Sequence, residues 1–219
     1  MKNLHNALQL KQLHILKQLG YNYTDTVPSE LEADSMDLPN TMAKLLDATQ
    51  ACHLCELSKS RQKTVFGEGN ENADILFVGE GPGATEDSTG RPFVGRSGEV
   101  LTKMIENVLH IPRSQVYIAN IVKCRPPDNR TPTESEAHTC RPFLQKQIAL
   151  IKPRIIVTLG ATAYRYLTND DSPISRVRGT IIQGDGHKII PTFHPSYLLR
   201  NPSAKKEVLS DLLKVKELL

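Results

Sequence analysis

From residue 74 onward the chain alternates short apolar runs with amphipathic stretches. That alternation is the strongest constraint on its fold. Ile75 to Val78, Val116 to Val122 and Ile155 to Leu159 have the length and β-branched content of strands. Between them, Ser97 to Leu109 and Thr133 to Leu150 carry helical periodicity. Ser97 is a candidate cap for the first helix. Glu134 and Glu136 lie in the first turn of the second, where the helix dipole favours acids. Ala161 to Leu167 predicts another helix, and Ile181 to Phe193 a hairpin turning at Gly184-Asp185-Gly186. Ser203 to Leu219 predicts a terminal helix. Strands alternating with helices predict an α/β three-layer sandwich: a central, mostly parallel four-stranded sheet covered on both faces. Ligands of such sheets sit at the carboxyl ends of the strands. Segments 79–87, 120–130 and 193–200 fall there.

Ahead of this region, Leu4, Leu8, Ile15, Leu16 and Leu19 lie near helical spacing and Gly20 is a stop signal. Residues 21–40 are acidic, contain Pro28 and Pro39, and read as a linker; Thr41 to Gln50 predicts a short helix. The expected organisation is an N-terminal helix and acidic linker over 1–45 and one main domain over 46–219. Hydrophobic residues at 39% exclude a mainly disordered chain, and with no Trp and 5% aromatics the core must be aliphatic. No apolar run is long enough to span a bilayer, and the first twenty residues lack the apolar core and cleavage site of a signal peptide. A cytoplasmic protein is expected. The net charge of +3 is uneven. Residues 1–50 carry two net negative charges and residues 51–219 five net positive ones. A mild positive excess suits a phosphate-bearing partner without requiring one.

Cys52 and Cys55 form a Cys-x2-Cys turn, which lets two thiolates reach one metal; Cys124 and Cys140 follow at wider spacing. Four thiolates complete either a tetrahedral zinc site or an iron–sulfur cluster, and spacing alone leaves both open. Two disulfides are the plain alternative. A cytoplasmic chain of this size has no need of such staples.

Two segments carry chemistry. Gly79-Glu80-Gly81-Pro82-Gly83 ends the first strand, followed by Glu86 and Asp87. Its spacing fits neither a nucleoside-triphosphate loop nor a dinucleotide fingerprint. A tight turn explains some of these residues. Three glycines, three acids and a proline within nine residues exceed what a turn needs, and carboxylates beside closely approachable backbone suit water activation or cation stabilisation. Phe93, between Pro92 and Gly95, is placed to stack on a base, and Ser97 opens a helix that suits a phosphate. The second segment is Phe193-His194-Pro195-Ser196-Tyr197-Leu198-Leu199-Arg200. A lone histidine is usually structural, but this one ends a strand. Leucines beside a cation resemble the wedge with which a protein opens a base stack. A capping turn with core leucines is the alternative, especially for Leu198.

Taken together, these residues resemble the family 4 uracil-DNA glycosylases, the thermostable bacterial and archaeal type with an iron–sulfur cluster. The matching pieces run in family order: Cys52-x2-Cys55, Gly79 to Gly83 with Glu86-Asp87, Gly90 to Arg96, Asn120 to Pro127 with Cys124, Cys140-Arg141-Pro142, and His194 to Arg200. They span about residues 50–202. The resemblance implies the uracil-DNA glycosylase fold and a structural [4Fe–4S] cluster on Cys52, Cys55, Cys124 and Cys140. It also implies hydrolysis of the N-glycosidic bond of deoxyuridine in DNA, single- or double-stranded, to leave an abasic site during base excision repair. His194 then matches the donor to uracil O2, and Asn120 the reader of N3–H and O4. Phe93 matches the stacking ring, and Glu80 and Gly81 line the base pocket. Gly83, Ser97, Ser196 and Arg200 are expected on the DNA backbone, with Leu199 as the wedge. The loop lacks the Asp that more familiar uracil glycosylases place there. Glu86 or Glu80 is therefore expected to orient the water, with Glu86 preferred.

Neither 91–98 nor 172–179 contains the Arg-Arg-Ile-His loop of the related glycosylases that trap uracil covalently, and no Lys lies in either catalytic segment. A monofunctional monomer with ordinary turnover is expected. No motif identifies a replication or repair partner. Three other classes share some of these features: a cluster-bearing module that binds without catalysis, an electron-transfer protein, and a nucleotide hydrolase. Glu86, Asn120 and His194 together argue against the first, nothing beyond the cysteines supports the second, and the third lacks a phosphate-binding Lys loop.

Overall fold

The computed structural model describes residues 38–219. The helix predicted before Gly20 and most of the acidic linker lie outside the described residues.

Six strands form one sheet in the order β1-β3-β2-β4-β6-β5. They are β1 (Glu68–Gly69), β2 (Ile75–Gly79), β3 (Tyr117–Asn120), β4 (Ile155–Leu159), β5 (Ile182–Gln183) and β6 (Lys188–Thr192). The four central strands are parallel, as the sequence pattern predicts. Two-residue antiparallel strands close the edges. The expected hairpin is β5–β6, its turn closed by the Gly184 amide on the His187 carbonyl at 2.9 Å. The edge strand β1 has no apolar run to announce it, so the four-stranded expectation gains two short strands.

Every residue of β2 and β4 is buried, because helices cover both faces and both sets of alternating side chains must be apolar. Ile75 and Phe77 point into one core with Ile118, Val157 and Ile190; Leu76 and Val78 point into the other with Tyr117, Ala119 and Ile156. The first core is closed by α4 (Arg96–Met104), its π-helical continuation Ile105–Leu109, and α9 (Lys205–Glu217). The second is closed by α1 (Met42–Gln50), α5 (Glu134–Ile151) and α6 (Ala161–Thr168). Leu38, Met42 and Leu45 already belong to it. The remaining short helices are α2 (Leu57–Ser60), α3 (Ala84–Thr89), α7 (Ile174–Val177) and α8 (Pro195–Arg200). No helix among the described residues is long and apolar enough to cross a membrane.

Two helix starts deserve comparison. Thr133 caps α5 in a full capping box with Glu136, whose carboxylate also grips Arg130 at 2.7 and 2.8 Å. Helix α4 departs from the expectation: its cap position is Gly95, Ser97 lies inside the first turn, and no side chain of its own caps it. Instead Glu86 Oε1 accepts from the Val94 and Gly95 amides at 3.0 and 2.9 Å. A carboxylate from the preceding helix supplies the cap from outside.

Candidate active site

Parallel strands bring their carboxyl ends to one edge. Strands β2, β3, β4 and β6 end at Gly79, Asn120, Leu159 and Thr192, so the loops that follow gather there. The connections leaving β2 and β4 run to opposite sides of the sheet, and a crevice opens between two such strands. A cleft of about 430 Å³ occupies it. Its lining includes Glu80, Gly81, Pro82, Gly83 and Glu86 after β2, Phe93 and Ser97, Asn120 at the end of β3, and His194, Ser196 and Arg200 after β6. Ten of the residues singled out from sequence thus share one cavity. Leu199 lies outside it, 41% exposed, beside a neighbouring groove formed by α4, α8 and α9. Leu198 is core. Asp87 is buried away from the cleft, its Oδ1 accepting from the Gln62 amide at 2.9 Å.

Asn120 is 1% exposed, and its Oδ1 has no hydrogen-bond partner among the described residues. Asn120 also lines the cleft, so this acceptor is available to a donor that enters it. Gly79 makes room for it: a methyl there would collide with Asn120 Oδ1 and lie 2.5 Å from Phe93 Cζ. Phe93 is buried with φ +50, a left-handed conformation that costs a non-glycine residue of order 1–3 kcal/mol. Gly98 packs directly against the Phe93 backbone, where no side chain fits. The Phe93 ring stands 5.7 Å from that of His194, tilted by 35°.

His194 caps α8. Its Nδ1 accepts from the Ser196 amide at 3.1 Å and lies 2.7 Å from Ser196 Oγ. With Nδ1 an acceptor, the neutral ring carries its proton on Nε2, which is left to donate. Burial, and then the positive charge of Arg200, lower the pKa of His194 to about 4, against a smaller opposing pull from Glu86. Gly160, at φ +90, leaves the space that His194 Cβ approaches. Glu86 is 7% exposed; Oε1 is committed to the two amides, while Oε2 takes no hydrogen bond from the described residues and lies beside Gly83.

Sequence reasoning assigned no role to several lining residues: Asn129 and Arg130 within the segment after β3, Tyr197 within the histidine segment, and Gly160 and Thr162 after β4, which lay outside every segment singled out. The β4 loop was detectable, since Leu159-Gly160-Ala161 is a strand-to-helix turn on the same edge. Asn129 follows Asp128 with both in left-handed conformation, a local geometry with no pattern in sequence.

The four cysteines, none in a disulfide, pack with the core that Tyr117 and Ala119 enter and line one small cavity with Arg61 and Lys123. Arg61 Nη1 donates to Cys124 Sγ at 3.2 Å, and the Lys123 amide to Cys140 Sγ at 3.3 Å. Burial pushes the Cys140 thiol up to about 12 and raises that of Cys124. Among the described residues no three His, Cys, Asp or Glu side chains converge tightly enough for a single metal ion.

A family model described as the uracil DNA glycosylase superfamily matches residues 66–213. A type-4 uracil-DNA glycosylase of Thermotoga maritima is 50% identical, over 78% of this chain and 90% of the relative. The chain belongs to the type-4 uracil-DNA glycosylases. Other type-4 uracil-DNA glycosylases from Saccharolobus solfataricus and Sulfurisphaera tokodaii are each 43% identical, over 85% and 82% of this chain and 87% and 85% of the relatives. The matched span of the superfamily contains the whole cleft and two of the four cysteines. Cys52 and Cys55 lie ahead of it.

Proposed function

We propose that this chain hydrolyses the N-glycosidic bond of deoxyuridine in DNA, single- or double-stranded, releasing uracil and leaving an abasic site for base excision repair. The observation that carries the reading is the unpaired, buried Asn120 acceptor in the same cleft as a histidine fixed as an Nε2–H donor. Uracil offers the matching edge. Its N3–H meets Asn120 Oδ1, its O4 the Asn120 amide, and its O2 the His194 donor. Cytosine lacks the N3 proton and carries an amine at C4, so it leaves the buried amide mispaired. Phe93 stacks on the extruded base, and Glu80 crowds C5 and rejects the methyl of thymine.

Bond cleavage leaves negative charge on the base and positive charge on the sugar. His194 stabilises the first by hydrogen bonding to O2 as the anion forms. Glu86 serves the second, or orients the water, through the oxygen not bound to the Val94 and Gly95 amides; Glu80 is the second candidate. Gly83, Ser97, Ser196 and Arg200 grip the DNA backbone, and Leu199 is the wedge. Among the described residues no lysine lines the cleft, which supports a monofunctional enzyme that leaves the strand intact. The enzyme acts as a cytoplasmic monomer. Residues 46–219 carry the catalysis, with 1–45 accessory to it.

Cys52, Cys55, Cys124 and Cys140 hold a [4Fe–4S] cluster. A cavity lined by all four cysteines, with N–H donors on two of the sulfurs, supports this reading. Its role is structural, tying the Cys52–Cys55 loop to the Cys124–Cys140 segment.

Turnover of a uracil-containing oligonucleotide by three variants tests the roles. His194→Ala and Glu86→Gln are expected to lower kcat by at least about a hundredfold. Asp87→Ala, which strips an acceptor from a backbone amide outside the cleft, is expected to lower Tm and leave kcat within a few fold. Equal, small effects at all three positions would defeat the assignment.

A further inference from the structure

Lys123 ends in an amine, yet it is 1% exposed. Its Nζ donates to the main-chain carbonyl of Asn120 at 3.0 Å and to Gln147 Oε1 at 2.6 Å. Gln147 is itself fully buried and donates to the Phe66 carbonyl at 3.0 Å and to the Tyr117 hydroxyl at 3.4 Å. Neither acceptor of the ammonium is charged. Among the described residues Lys123 forms no ion pair with a carboxylate. A buried cation is strongly disfavoured unless a counter-charge or a metal site accompanies it. The groups placed to supply one are the cysteines: Lys123 lines their cavity, and its own amide donates to Cys140 Sγ.

One residue therefore touches both halves of the molecule's chemistry. Its main chain contacts a cysteine sulfur, and its side chain holds the backbone of the asparagine whose amide stands unpaired in the cleft.

We propose that Lys123 is a positioning residue for base recognition: its buried ammonium, balanced by the thiolate-bound cluster, clamps the Asn120 backbone and so sets the reach of the Asn120 amide towards the base. The inference rests on the proposed roles of Asn120 and the cysteines. An apolar side chain at 123 fills the same volume but leaves the Asn120 carbonyl and Gln147 Oε1 without a donor. Emptying the cysteine site removes the counter-charge, and the clamp loosens in the same way. Base reading is thereby coupled to cluster occupancy through a residue that never touches the base.

The test is binding of free uracil to the full-length, cluster-loaded chain by calorimetry. Visible absorbance and iron content follow the cluster independently. Lys123→Met is expected to keep the cluster and weaken uracil binding about tenfold, as Asn120→Ala does. The double variant is expected to lose little more than either single one, because both act through one amide. Gln147→Met, which removes only one of the two ammonium acceptors, is expected to fall between wild type and Lys123→Met, and it serves if the lysine variant fails to fold. Chelating the cluster from the wild-type chain should weaken uracil binding, and chelation should add nothing in Lys123→Met. Wild-type affinity in Lys123→Met or Gln147→Met, or an additive loss in the double variant, overturns the proposal. If Asn120→Ala itself binds uracil normally, the base-reading role of Asn120 fails instead.

Discussion

The protonation state of His194 is the most exposed part of the mechanism. An ordinary histidine titrates near 6.5, whereas burial and Arg200 bring this one to about 4. Protonation would place a proton on Nδ1, the atom that accepts from the Ser196 amide. It would thus set N–H against N–H at the start of α8. The folded state therefore resists the proton that the unfolded chain accepts. Above pH 6.5 the neutral ring costs nothing; as pH falls from 6.5 towards 4 the unfolded chain is increasingly favoured. The gap corresponds to about 3 kcal/mol once both pKa values are passed. For catalysis the consequence is a donor that stays neutral through mildly acidic solution. At pH 5.5 an ordinary histidine is about nine-tenths protonated, whereas one with a pKa about 4 is almost wholly neutral. The acid limb of kcat/KM is expected near pH 4. Ring-nitrogen NMR should find Nε2 protonated and Nδ1 accepting from pH 8 down to that limb. Arg200→Ala removes the second cause of the depression and should move the limb upward. A ring pKa near 6.5, or a proton on Nδ1 at neutral pH, would refute the reasoning.

Other outcomes follow from the same contacts. Gly79→Ala places a methyl against Asn120 Oδ1 and Phe93, so KM on a uracil oligonucleotide should rise more than kcat falls. Phe93→Leu keeps an apolar side chain and loses the stacking face, a loss of about 1–3 kcal/mol in affinity by competition with free uracil. Activity should fall with salt, and Arg200→Gln should reduce the slope of log affinity on log salt by about one. Cluster removal by chelation should release the Cys52–Cys55 loop from the Cys124–Cys140 segment, seen as faster amide exchange over residues 52–61 and 122–126.

The central sheet was legible because strands buried on both faces are continuous apolar runs, as Ile75 to Val78 and Ile155 to Leu159 are. Strand β1 was not, since Glu68–Gly69 is two residues held only by its pairing with β3. Capping divides the same way. The Thr133–Glu136 box is local and readable. The cap of α4 comes from Glu86, eight and nine residues earlier, and only the fold brings it there. The cleft-lining residues from Glu80 to Arg200 were legible through their motifs. The glycine at 79, the turn at Gly160 and the conformation of Phe93 became meaningful only with the neighbours in place. Lys123 was the least readable, because a lysine in a strand-end motif looks exposed until its burial is seen.

The measurement closest to the central claim is release of free base. The purified chain, its cluster intact, is incubated with matched oligonucleotides carrying uracil or thymine at one position. Free uracil is quantified by chromatography, and the strand is examined before and after alkali. Uracil released only from the first oligonucleotide, with the strand broken only after alkali, is the expected result. Tight binding without release would make the chain a recognition module, and strand cleavage without alkali would contradict the monofunctional mechanism.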